Sequence, residues 1–153
     1  MHHLTIESPL GPITVSATED AIVGLVIGHR HRESGPTGLL NQANRQLDEY
    51  FAGQREDFDL PLHFQGTPFQ EAIWNTLPAI GHGDTISYRE LGEKAGLGTA
   101  PRAVGGAVGK NPIPIIIPCH RVLATSGHIT GYSGGDGIPT KKKLLDLEGI
   151  SYR

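Results

Sequence analysis

One cysteine stands directly before a histidine in Pro118-Cys119-His120-Arg121-Val122, and Cys119 is the only thiol in the 153-residue chain. A thiol attacks carbon as its thiolate, and an adjacent base supplies that form. The residues leading up to it, Ile113-Pro114-Ile115-Ile116-Ile117, are apolar. Prolines at 112, 114 and 118 remove backbone donors and stop the run from being a central strand. The stretch reads as a stiff, mostly buried arm that delivers one sulfur to one place. A lone cysteine is more often an inert small hydrophobe, and adjacent side chains often point apart. The nucleophilic reading therefore depends on what else the chain assembles around Cys119.

Composition removes several alternatives. One cysteine leaves no internal disulfide and no cysteine-based zinc cluster. Eight histidines, at 2, 3, 29, 31, 63, 82, 120 and 128, invite a metal reading. None forms a helical i, i+4 pair around a carboxylate, and His29-Arg30-His31-Arg32 reads as a solvated loop, so no metal and no cofactor is expected. With 37% hydrophobic and 19% charged residues the chain is a folded globular one. Its longest apolar run, near Ile115, is far too short to span a bilayer, so no membrane partner is expected. Met1-His2-His3-Leu4 lacks the charged-then-apolar pattern of an export leader, which makes a reducing, cytoplasmic setting the expectation. The net charge of −3 argues weakly against a nucleic-acid partner, yet it hides an asymmetry. Residues 1–67 carry four arginines against nine carboxylates, a net of −5. Residues 68–153 carry nine lysines and arginines against seven carboxylates, a net of +2. The positive half holds Cys119, a hint of a face for a polyanion.

The elements that must position the cysteine follow from period and punctuation. Leu4–Glu7 and Ile13–Ala17 alternate around a Ser8-Pro9-Leu10-Gly11-Pro12 turn and predict a hairpin. Ala21–Ile27 is a more apolar strand, expected as the central neighbour. Residues 28–38 read as loop. Leu40, Ala43, Leu47, Tyr50 and Phe51 recur at helical steps and predict a helix ending near Gly53. Phe58, Leu60 and Leu62 suggest one more strand. This half carries no chemical motif. The domain boundary is expected at residues 63–67, giving an N-terminal α/β domain over 1–66 and a C-terminal domain over 67–153. Thr67-Pro68-Phe69-Gln70 and Ser87-Tyr88-Arg89-Glu90 are capping boxes. Pro101 opens a further helix, Arg102–Val108, made of small residues. Two short helices joined by a glycine-bearing turn form a helix-turn-helix candidate. A thin helix with Arg102 near its positive end can approach a groove closely. The loop Gly131–Gly137 lacks phosphate-loop spacing. Pro139 opens a last helix, in which Lys141-Lys142-Lys143 reads as a solvated face and Leu144, Leu145 and Leu147 as the packed one. Glu148 ends it, as a surface acid or as the group that orients a histidine.

Taken together, these motifs resemble the O6-alkylguanine-DNA alkyltransferase family, the suicide repair proteins of methylated DNA. The resemblance rests on Pro118-Cys119-His120-Arg121-Val122, Arg102-Ala103-Val104-Gly105, Asn111-Pro112, Ser87-Tyr88, Tyr132-Ser133-Gly134-Gly135 and Leu147-Glu148-Gly149. They occur in the family's order and cover residues 67–149. Ser8-Pro9-Leu10-Gly11 and Tyr50-Phe51-Ala52-Gly53 agree in outline in the other half. The resemblance implies an α+β protein: a small ribonuclease H-like α/β domain, then a helical, winged helix-turn-helix-like domain carrying the cysteine.

It also implies a chemistry. Cys119 would attack the alkyl carbon on guanine O6, in an irreversible, single-turnover cysteine S-methyltransfer that consumes one protein molecule per lesion. O4-alkylthymine is left open as a second substrate. His120 would take the thiol proton through a water, and Glu148 would hold and polarise His120. Tyr88 would donate to the departing guanine, and Asn111 would tie down the arm. The partner would be double-stranded DNA containing the lesion, bound by a monomer, with the base extruded from the stack. Ser87, Tyr88, Arg102, Ala103, Gly106 and Ala107 would contact DNA, with Arg102 filling the vacated stack and the helix of small residues in the minor groove. Pro114, Val122, Tyr132, Ser133 and Gly134 would line the alkyl and base pocket. Pro101 precedes the finger arginine where many relatives carry alanine, and the zinc-binding cysteines of some relatives are missing here. Two other readings stay open: a lesion-binding module that transfers nothing, and a Cys-His-Glu hydrolase with no DNA role.

Overall fold

The computed structural model describes residues 1–31 and 37–153. Arg32 and the middle of the loop expected over residues 28–38 lie outside the described residues. The chain divides into two compact units, Met1–Phe64 and Gln65–Arg153, and its class is mixed α+β.

In the first unit, β1 (His2–Ser8), β2 (Gly11–Ala17) and β3 (Ile22–Ile27) form an antiparallel sheet in the order β1-β2-β3. Ser8 builds the hairpin turn: its hydroxyl donates to the Gly11 carbonyl at 2.7 Å and accepts from the Leu10 amide at 3.1 Å. The central strand is β2, whose Ile13, Thr14, Val15 and Ala17 are all buried. This corrects the expectation that Ala21–Ile27 is central; β3 leaves Val26 half exposed. The helix α1 (Gly38–Phe51) is capped by Thr37 and buries Leu40, Ala43, Leu47 and Tyr50, as its period requires.

Residues Phe58–Leu62 do not form the strand that their alternation suggested. Gln46 on α1 takes the backbone of Asp59 instead, accepting from its amide at 2.9 Å and donating to its carbonyl at 3.0 Å. Pro61 has no N–H to offer a ladder. Only a single parallel bridge, Ile22 with Leu62, remains.

The second unit carries the cysteine. Helix α2 (Pro68–Thr76) and helix α3 (Tyr88–Lys94) both begin with complete capping boxes, at Thr67/Gln70 and Ser87/Glu90. Helix α4 (Pro101–Gly109) has Pro101 in its first turn and buries Val104, Ala107 and Val108. The Trp74 indole N–H of α2 donates to the Ala107 carbonyl at 2.9 Å and locks these two helices together. A short parallel pair, β4 (Ile86–Ser87) with β5 (Val122–Leu123), ties the start of α3 to the residues just after the cysteine. The chain closes with α5 (Ile138–Leu147), which buries Leu144 and Leu145. Leu147 is 38% exposed and is not part of the packed face, a correction to the sequence reading.

The approach of α3 to α4 depends on one glycine. A Cβ on Gly92 would stand 2.6 Å from the Gly98 carbonyl oxygen and 3.0 Å from Val104 Cγ2. Neither the backbone nor a fully buried valine can yield that space. Gly92→Ala is therefore expected to lower unfolding free energy by about 2 kcal/mol through overpacking, read as a reduced urea midpoint at unchanged slope.

Candidate active site: a buried cysteine beside a charge-locked histidine

The arm that leads to the sulfur is a tight, self-bonded turn. The Asn111 side chain accepts from the Ile113 amide at 2.9 Å and donates to the Ile117 carbonyl at 2.7 Å, bracketing the turn at both ends. The Ile117 amide closes it onto the Ile113 carbonyl at 2.9 Å. Inside, Ile115 is held at φ +75°, a region that β-branched residues avoid. Burial of Ile113, Ile115, Ile116 and Ile117 and the Asn111 bridge hold that strained residue in place. The arm then enters a 3-10 turn, Cys119–Arg121.

All three residues of that turn are buried, and each points to a different task. Cys119 is 3% exposed and reaches the wall of a cavity of about 440 Å³, within the range of about 300–1,000 Å³ typical of small-molecule sites. Tyr88, Arg102, Gly105, Tyr132 and Ser133 line the same cavity. His120 is fully buried and its Nε2 lies 2.6 Å from Glu148 Oε2. Arg121 grips the same carboxylate with two bonds, Nε to Oε1 at 2.8 Å and Nη2 to Oε2 at 3.1 Å. Its Nη1 donates to the Ile80 carbonyl at 2.5 Å.

This arrangement fixes the histidine tautomer. The Glu148 carboxylate only accepts, so His120 Nε2 carries the hydrogen and Nδ1 carries the lone pair. Nδ1 is buried and has no hydrogen-bond partner among the described residues. Burial, first of all, holds His120 below its ordinary value, against the opposing pull of Glu148, so the ring is a neutral base near pH 7. Cys119 is pushed up by burial; side-chain hydrogen bonds from Asn111 and Tyr132 and the charge of Lys141 pull the other way. The resting sulfur is accordingly a thiol. A protonated thiol attacks carbon only once a base has taken its proton.

With this geometry in view, comparison with known proteins is decisive. Residues 68–150 match the model of the 6-O-methylguanine DNA methyltransferase DNA-binding domain, and residues 1–64 match that of the same family's ribonuclease-like domain. The chain belongs to the 6-O-methylguanine DNA methyltransferase family. A methylated-DNA–protein-cysteine methyltransferase of Mycobacterium tuberculosis (strain H37Rv) is 42% identical over 154 residues, spanning 97% of this chain and 92% of the relative. The constitutive methylated-DNA–protein-cysteine methyltransferase of Bacillus subtilis is 38% identical over 162 residues, spanning 99% and 98%. A crystal structure of the M. tuberculosis protein OGT in complex with DNA superposes with a TM-score of 0.87 at 43% identity, covering 97% of this chain and 92% of that one.

The structure sorts the residues singled out from the sequence. Tyr88, Arg102, Tyr132 and Ser133 share the cavity with Cys119, while Pro114, Val122 and Gly134 do not line it. Val122 is fully buried, and its carbonyl accepts from Lys141 Nζ at 2.7 Å. On α4, Arg102, Ala103 and Gly106 are exposed. Ala107 is 3% exposed and faces the interior beneath Trp74, so its placement among the outward contacts is corrected. Ser87 is likewise 6% exposed, with its hydroxyl accepting from the Glu90 amide as the α3 cap. Glu148 is no surface acid; it is buried with both partners.

Two residues escape the sequence reading: Arg121, which grips Glu148, and Lys141, which donates to the Val122 carbonyl. Lys141 belongs to a run that reads as a solvated face, yet it is 1% exposed. The signal was present in spacing: 141, 144, 145 and 148 recur at i, i+3, i+4 and i+7, which places Lys141 on the buried face with Leu144, Leu145 and Glu148.

Two outcomes follow from these charges. Because the folded state holds His120 below its ordinary value of 6.5, the unfolded chain binds that proton more readily. Its contribution to stability is complete above 6.5 and is lost as pH falls through the lowered folded value. Between about pH 7 and 5 the wild type should lose stability more steeply than His120→Asn, by up to about 1.4 kcal/mol per pH unit, measured by urea unfolding. Glu148→Gln leaves the Arg121 guanidinium buried without its counter-charge and should cost about 3 kcal/mol in the same assay.

Proposed function

We propose that this protein repairs alkylated DNA by direct reversal, taking the alkyl group of O6-alkylguanine permanently onto Cys119. The observation that carries the reading is the meeting, in one cavity wall, of a single buried thiol with a thin helix whose first turn carries an exposed arginine. Family membership and the DNA-bound relative support it.

The chemistry follows from the groups in place. A guanine inside a duplex keeps its O6 substituent in the base stack, so the nucleotide must be extruded, at roughly a few kcal/mol. The exposed side of α4, with Ala103 and Gly106, enters the minor groove, and Arg102 occupies the gap left in the stack. In the cavity, the Cys119 proton passes to His120 Nδ1 through a bridging water. The imidazolium that forms is stabilised by Glu148, which Arg121 holds in place. The thiolate then attacks the alkyl carbon in line with the C–O6 bond, and guanine departs with the bonding pair. Tyr88 donates a proton to the departing base, so that no guanine anion leaves. A thioether has no route back to a thiol, so each molecule acts once. Tyr132 and Ser133 close the pocket over the alkyl group, and Asn111 fixes the arm. One chain carries the whole set, and we take the acting form to be a monomer in the cytoplasm, where the DNA substrate lies.

Intact-mass analysis after mixing with a duplex bearing O6-methylguanine should show a gain of one methylene, stoichiometric with protein and confined to the peptide holding Cys119. Cys119→Ser should abolish the gain while retaining DNA binding. An unmodified wild-type Cys119 despite tight lesion binding would sink the reading. Arg102→Ala should slow repair in duplex DNA at least about tenfold more than it slows reaction with a free O6-alkylguanine base, because only the duplex requires extrusion. Equal losses would remove the finger role.

A further inference from the structure

Behind Tyr88 lies a chain of polar groups for which the transfer described above has no use. Lys141 is almost fully buried on α5. An ammonium in that position needs partners, and its Nζ donates to the Val122 carbonyl at 2.7 Å and to Thr130 Oγ1 at 3.5 Å. Thr130 Oγ1 lies 2.5 Å from the Tyr88 hydroxyl. Three side chains, from α5, the loop after β5 and the start of α3, thus run in a line that ends in the cavity beside Cys119.

We propose that Thr130 joins Lys141 to Tyr88 as a proton relay that restores the tyrosine hydroxyl while guanine departs. The relay rests on the alkyl-transfer reading and deepens it. Its balance is complete. The thiolate sulfur forms a bond to the alkyl carbon, and the C–O6 bond breaks with its electron pair going to guanine. Guanine takes the Tyr88 proton, Tyr88 takes the Thr130 proton, and Thr130 takes one from Lys141 Nζ. A thiolate and an ammonium become a thioether and an amine, while the thiol proton stays on His120 against Glu148 and Arg121.

Electrostatics favour this route over a tyrosine acting alone. Burial pushes Tyr88 above its ordinary value, so a tyrosinate left behind would be costly. Burial also lowers Lys141 to about 8, with Cys119 pulling the other way. Lys141 is therefore charged at neutral pH yet gives up a proton more readily than an ordinary lysine. Cys119 and His120 on the 3-10 turn interact with it by charge, and Tyr88 on α3 reaches it through Thr130. The 3.5 Å step is the long one, and such bonds tighten when substrate fills a site. Thr130 and Lys141 act through Tyr88 and are positioning residues.

The test compares two reactions of the same sulfur. Methyl transfer from duplex O6-methylguanine needs a protonated leaving group; alkylation of Cys119 by iodoacetamide does not. Thr130→Val, which keeps shape but removes the hydroxyl, should slow methyl transfer about tenfold and change iodoacetamide alkylation less than about twofold. Thr130→Ser should restore transfer. In the wild type the ratio of the two rates should fall as pH rises past about 8, and in Thr130→Val that fall should vanish. Unchanged transfer in Thr130→Val, or a ratio that still falls there, would overturn the relay and leave Lys141 acting only by its charge on Cys119. A wild type that is alkylated by iodoacetamide but never methylated by the duplex would overturn the alkyl-transfer reading itself.

Discussion

A single carboxylate, buried at the end of α5, sets the geometry of the second unit. Glu148 is 6% exposed and receives bonds from both His120 and Arg121. Those two residues are neighbours on the turn that begins with Cys119. Removing such charges from water costs several kcal/mol per ion, and Coulomb attraction recovers it only when the hydrogen bonds are complete. Here Arg121 uses its remaining reach on the Ile80 carbonyl, and the Gly83 amide donates to Glu148 Oε1 at 3.4 Å. The carboxylate therefore fixes α5, the cysteine turn and the loop before β4 in one register. Apolar residues of similar volume in place of the whole ion-paired set, Arg121 included, can match it in stability, but they would specify no histidine tautomer.

The same burial that orders the site restrains its nucleophile. Desolvation pushes Cys119 up, so the thiol keeps its proton at rest. Reactive cysteines that turn over repeatedly are usually held as thiolates and are open to oxidation. A cysteine that can react only once has a different requirement: it must not be spent on adventitious electrophiles. Keeping the sulfur neutral and 3% exposed meets that requirement. In the proposed transfer activation falls to His120, whose acceptor nitrogen has no hydrogen-bond partner among the described residues and whose donor nitrogen is held by Glu148.

What could be read in the sequence followed the strength of local signals. The capping boxes at Thr67 and Ser87 were legible because cap, proline or turn, and reciprocating side chain occur within four residues. Cys119, Tyr88, Arg102, Tyr132 and Ser133 carried family motifs, and they converge on one cavity. Long-range competition was not legible. Alternation at Phe58, Leu60 and Leu62 signals a strand, but a glutamine on a helix 13 residues away takes the backbone at Asp59. Nor does apolarity reveal strand order, because α1 and the sheet share the burial that makes β3 look central. At Lys141 composition misleads: three lysines in a row signal a solvated face, while the helical period puts only the first of them inside.

Helix α4 shows how one sequence can answer to two neighbours. Val104, Ala107 and Val108 are turned inward, and the Ala107 carbonyl accepts from Trp74. A Cβ on Gly105 would meet the Tyr88 ring at 3.7 Å, an ordinary packing contact. Gly106 is freer still. A Cβ at that position would meet nothing within 4 Å, and a glycine inside a helix costs about 1 kcal/mol relative to alanine. The interior therefore places no demand on the smallness of residue 106, nor on that of exposed Ala103. The outward face of the helix is bare, with an exposed arginine at its leading end. The groove contact put forward above gives the bare face and Arg102 a common cause.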